Sequence, residues 1–153
     1  MIDLQEMITN KFSAMRAEEL KTMDIMTVGE LIAKLEPIVA KQSEVIKKYG
    51  HEATVMFDFE YLKPTSFHSW RGVYAELALG FTEEGEEKPV SKLLEQARAV
   101  VGKTFTGYKG GDFVMGKTTP IWIANYGHTG QTALVDILDE EYSVILITKY
   151  LKG

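Results

Sequence analysis

The stretch "TALVDILDEEYSVILITKYL", Thr132 to Leu151, decides the fold class. Two runs rich in Leu, Ile and Val flank Asp139-Glu140-Glu141-Tyr142, a connection short enough to reverse the chain directly. The stretch therefore reads as two antiparallel strands. Ser143 to Tyr150 is apolar on both of its alternating faces, which places it in the interior of a sheet. Upstream, "TPIWIANYG" (residues 119–127) reads as another strand, ended by Asn and Gly.

Before Gly102 the period changes. In "PVSKLLEQARAVVGK" (residues 89–103), Val90, Leu93, Leu94, Ala97, Val100 and Val101 recur at helical spacing. Pro89 sits where a helix can begin and Gly102 where it can end. "VYAELALGF" (73–81) alternates and reads as a strand, although Ala, Glu and Leu also allow a helix. "TVMFDFEYL" (54–62) reads as a strand with Val55, Phe57 and Phe59 on one face. "KPTSFHSWRG" (63–72) and the acidic "TEEGEEKP" (82–89) read as loops. "TVGE" (27–30) is a capping box: Thr27 caps a helix and Glu30 reaches back to the Thr27 amide. Pro37 falls inside that helix and predicts a kink or an end near Glu36. The pattern resumes through Val45, Ile46 and Tyr49 to a stop at Gly50. Ile2, Leu4, Met7, Ile8, Phe12 and Met15 give a further helical stripe nearer the N-terminus.

Together these elements predict a single α+β domain over 1–153. Residues 1–50 form a helical N-terminal region, and 54–150 form a sheet-rich core with a helix at about 90–102. The sheet is expected to be antiparallel, with about five strands against about three helices.

The 153 residues carry a net charge of -5 and no cysteine. Disulfides, thiol catalysis and cysteine-based zinc sites are excluded. No basic run offers the face that a duplex needs, so bulk nucleic acid is not an expected partner. No apolar run approaches membrane-spanning length and the N-terminus does not read as a signal peptide, so no membrane association is expected. The three histidines lack HxxxH or HxH spacing, so no metal is assigned. No nucleophile elbow is present, and no catalytic residue or cofactor is assigned.

Three segments carry candidate binding chemistry. In "FHSWRGVY" (67–74), Arg71 lies between Trp70 and Gly72. A guanidinium beside an indole suits phosphate or carboxylate while the ring stacks on a base. His68 adds a donor and Tyr74 a second ring. Equally, Trp70 and Tyr74 pack a core edge and Arg71 pairs with Asp58 or Glu76. In "GYKGG" (107–111), glycines around Tyr108 and Lys109 suit a backbone nest for an anion. "GDFVMGKT" (111–118) matches the phosphate-loop spacing, but Pro120 and a β-branched run follow where that motif needs a helix, so the match is accidental. "ANYGHTGQT" (124–132) offers Asn125, His128, Thr129 and Gln131, as a polar rim or as plain turn residues. Of the carboxylates near strand ends or faces (Asp58, Glu60, Glu76, Asp112 and Asp136), none can be paired from sequence.

"FHSWRGVYAELALGF" (67–81) and "GKTFTGYKGGDFVMGKTTPIWIANYG" (102–127) resemble a pattern in small uncharacterised proteins of tailed bacteriophages. In these an aromatic-Arg-Gly-x-Tyr segment precedes a Leu-Ala-Leu strand, and a Gly-Tyr-Lys-Gly-Gly segment and a Trp-containing strand follow. The resemblance spans Val55 to about Thr148 and implies a viral accessory protein acting in the host cytoplasm. It leads to three expectations. The first is a protein that binds a small anionic ligand, such as a nucleotide-derived defence signal. There Trp70 and Tyr108 stack, Arg71 and Lys109 grip phosphates, and His68, Tyr74, Asn125 and His128 complete the site. The second is an inhibitor that docks on a host protein, and the third is a nucleotide hydrolase. The N-terminal helices suggest a homo-oligomer.

Overall fold

The computed structural model describes residues 25–107 and 110–151. The stripe from Ile2 to Met15, and Tyr108 and Lys109, lie outside the described residues. Helix α1 spans Val28–Ala40 and α2 spans Gln42–Tyr49. Strands β1 (Thr54–Phe57), β2 (Lys63–Trp70), β3 (Val73–Thr82) and β4 (Lys88–Pro89) follow. Helix α3 (Val90–Val100) leads to β5 (Thr104–Thr106), β6 (Asp112–Val114), β7 (Ile121–Ile123), β8 (Thr132–Asp139) and β9 (Ser143–Tyr150).

The α+β class holds, and the strands exceed the expected five. Seven form one sheet in the order β2-β3-β7-β8-β9-β1-β4, and β5 and β6 form a separate hairpin. The main sheet is mixed rather than antiparallel: β3 pairs with β7, and β1 with β9, in parallel. Both parallel pairs join strands far apart in sequence, with helix and hairpin as crossover, whereas every strand pair read from a short turn is antiparallel. The predicted hairpin is present, with Glu141 at φ 70° in its turn. Strand β9 lies between β8 and β1, inside the sheet as its two apolar faces require.

The expected loop 63–72 is instead edge strand β2, paired with β3 up to a tight turn at Arg71 and Gly72. Pro64 misled the reading. An edge strand tolerates a proline, and a register shift between Pro64 and Phe67 absorbs it. Strand β1 stops at Phe57, because Glu60 and Tyr61 turn the chain at positive φ. The capping box at Thr27 and Glu30 forms as read. Pro37 does not end α1. The break comes at Lys41, and α2 then closes at Gly50 with φ 87°.

Side chains alternate across the sheet, so its two faces hold two different cores. Val55, Phe57, Leu77, Leu79, Ile121, Ile123, Leu134, Val144 and Leu146 face α1 and α3. Trp70, Ala78, Trp122, Ala124 and Ala133 sit on the opposite face with Ile25 and Leu151. Strands β7 and β8 pair over only two residue pairs, Trp122 with Ala133 and Ile123 with Thr132. Beyond them the strands splay and Met26 fills the gap. Its N–H donates to the Leu134 carbonyl at 2.7 Å and its carbonyl accepts from Ile121 at 3.0 Å. The sheet also curls until its outer strands approach. Lys88 on β4 donates to the Thr65 carbonyl of β2 and to Gln96 Oε1 of α3.

Candidate functional site

Strand β7 carries the centre of the site. In "IWI" the isoleucines go to the helical side, and Trp122 is left alone on the other face. There it meets Trp70, at the end of β2. The two indoles stack with centroids 4.1 Å apart and planes 16° from parallel. Gly72 follows in the turn, and a Cβ at that position would lie 2.5 Å from Trp70 Cζ2. Glycine is therefore required because the turn backbone rests against the indole. Both rings are nearly enclosed, with 5% and 4% of Trp70 and Trp122 exposed.

A cleft of about 600 Å³ opens beside this stack. Val73 and Glu76 of β3, Thr118 and Pro120 before β7, and Thr129 and Gln131 before β8 line it with the two indoles. Ile25 and Thr27 close it on the side where Thr27 bridges to Pro120. Glu76 is the only charged residue among the described lining residues. Its Oε1 accepts from Trp122 Nε1 at 2.7 Å, which fixes both the carboxylate and the ring. The Trp70 Nε1–H is buried and finds no acceptor among the described residues.

The "FHSWRGVY" and "ANYGHTGQT" segments converge, though not as a single pocket. The loop from Ala124 to Gln131 folds back over the sheet toward β2. Arg71 Nη1 donates to the Gly127 carbonyl at 2.9 Å, and the Tyr126 ring meets His68 edge-on at 5.7 Å. Arg71 thus fastens this loop. Burial lowers the pKa of His68, and among the described residues its Nε2 has no hydrogen-bond partner. Asn125 serves the backbone, accepting from Phe81 N–H at 2.9 Å. Asn125 and His128 line a second cavity of about 380 Å³ with Phe59, Phe81, Thr148 and Tyr150, away from the tryptophans.

Tyr74 turns toward the β5–β6 hairpin. A Cβ on Gly107 would lie 2.9 Å from Tyr74 Cγ, so the Arg71 turn and the glycine-rich segment touch there. Gly107 and Gly111 close that hairpin through a 2.6 Å hydrogen bond. The phosphate-loop spacing is accidental as read, because Asp112–Val114 is a strand and no helix follows Thr118. Three of the remaining carboxylates hold structure. Asp58 accepts from Thr148 N and Oγ1, Asp112 from Thr106, and Asp136 pairs with Lys34 at 3.1 Å. Among the described residues no group of His, Asp or Glu could hold a metal, and no helix is long and apolar enough to cross a membrane.

Trp122 was legible only as a core strand residue, and Glu76 only as one carboxylate among several. The usable signal was the alternation of "IWI" and "VYAEL", which puts both side chains on the face away from the leucines. Comparison with protein-family models, curated proteins and solved structures gives no match.

Proposed function

We propose that this protein binds a small ligand, and that a flat part of the ligand enters the cleft beside Trp70 and Trp122. One observation carries the reading: a cleft of about 600 Å³, the size of a small-molecule site, built on two stacked indoles with a few polar groups at its rim. The polar groups converge from four separate segments: Ile25–Thr27, the start of β3, Thr118–Pro120 and the loop before β8. A nucleotide-derived signal fits if its base occupies the cleft. The described lining has no cation, so any phosphate is assigned to the outside. With the resemblance to small phage proteins, this suggests sequestration of a host defence signal without turnover.

Trp70 and Trp122 are the only tryptophans in the chain, so fluorescence excited selectively at the indoles, apart from the seven tyrosines, reports on this cleft. The test is a titration of the full chain with nucleosides and with mono-, di- and cyclic nucleotides, followed by fluorescence and by thermal shift. A ligand at one hundred times its dissociation constant adds about 2.7 kcal/mol to stability, several degrees in melting temperature. A saturable fluorescence change with a matching thermal shift supports the reading. No response across the panel removes the nucleotide and leaves the inhibitor reading, to be pursued with host proteins.

A further inference from the structure

Resting on the ligand-binding reading, we infer that the group entering the cleft is a planar N–H donor, neutral or cationic, and that Glu76 is the residue that selects it. Two observations converge. Glu76 is the only charged group among the described lining residues, so the one formal charge on that lining is negative. Its Oε1 is held by Trp122 Nε1, while among the described residues its Oε2 accepts no hydrogen bond. The carboxylate is thus oriented by one oxygen and open at the other, a preorganised acceptor. Amino-substituted heterocycles, amidines and amides all present such a planar N–H donor. A carboxylate or phosphate would meet Glu76 as a like charge and cannot donate to it.

Three probes of one shape and different charge separate these terms: benzamidine, benzamide and benzoate. Binding to the full chain is read by calorimetry and by the two indole N–H resonances, with the Trp122 resonance assigned by its loss in Trp122→Phe. Benzamidine and benzamide should bind at least about tenfold tighter than benzoate, the scale of one charge-assisted hydrogen bond. In Glu76→Gln the preference for benzamidine over benzoate should fall by about tenfold or more. The glutamine amide oxygen can still accept from Trp122, so this variant is expected to fold, and its indole resonances check that.

Equal binding of benzoate and benzamidine, or an unchanged ratio in Glu76→Gln, overturns the selection by Glu76 and leaves the ligand cleft standing. Failure of all three probes to perturb either indole overturns both.

Discussion

Trp70 and Trp122 stand 4.1 Å apart on neighbouring parts of one sheet face, nearly parallel, although 51 intervening residues separate them in the chain. Strand β3 makes the contact. It pairs with β2 on one side, where Trp70 stands opposite Val73, and with β7 on the other, where Trp122 stands beside Ala78. The register shift between Ser69 and Trp70 carries the Trp70 ring onto the same face as Trp122.

Truncating that stack removes a large buried surface. Trp122→Ala is expected to destabilise the protein by about 3–5 kcal/mol, as core tryptophan truncations do. Part of the loss comes from Glu76, which stays part-buried but loses the indole donor. Urea denaturation checks the value. A loss under 1 kcal/mol would mean that the second core does not support the sheet.

Gly72 and Gly130 should respond in opposite ways to alanine. Neither has a left-handed backbone, so only space distinguishes them. At Gly72 the new methyl would meet the Trp70 ring, which cannot retreat because Trp122 backs it. A cost of about 1–3 kcal/mol is expected, the range for overpacking. At Gly130 nothing lies within 4 Å of the added Cβ. Gly130→Ala should stay within about 0.5 kcal/mol of wild type. Paired thermal melts decide the comparison.

Asn125 is expected to matter as a backbone anchor. Asn125→Ala leaves the part-buried Phe81 N–H without its acceptor, at a cost of about 1–3 kcal/mol. Asn125→Asp keeps an oxygen in place and should recover much of that loss. Hydrogen exchange at the Phe81 amide is the direct readout: faster in the alanine variant, near wild type in the aspartate variant.

Lys88 sets a pH dependence. Burial, with repulsion from Lys92 as a smaller cause, lowers its ammonium from 10.5 to about 8. Between pH 8 and 10.5 the unfolded chain therefore binds the proton more tightly than the native one, and stability attributable to Lys88 rises as pH increases across that window. Lys88→Met should flatten this rise in chemical denaturation curves, whatever it costs through the lost contacts to Thr65 and Gln96. Lys41 and Lys48, raised by Asp139 and Glu141, lose their contribution at still higher pH and are common to both proteins. Equal slopes for wild type and variant from pH 8 to 10.5 would refute the assignment.

Local chemistry was legible wherever neighbours in sequence are also neighbours in space. The Thr27–Glu30 box, the Gly50 stop, α3 between Pro89 and Gly102, and the β8–β9 hairpin each close within a few residues. Backbone geometry and side-chain period determine them without outside help.

What tertiary structure alone decided is which distant elements pair and which faces they share. The parallel partnerships of β1 with β9 and β3 with β7 leave no periodic trace, because each strand looks the same whichever neighbour it takes. Strand β2 was read as a loop because its Pro, Ser and His residues are tolerated only where an edge and a register shift excuse them. For the same reason the candidate residues divide between two cavities. Trp70 joins Trp122 and Glu76, Asn125 and His128 face the second cavity, and Arg71 fastens the loop that contributes to both. A sequence sets the alternation that turns each side chain to one face or the other. Only the assembled sheet, through long-range pairing, determines what each face meets.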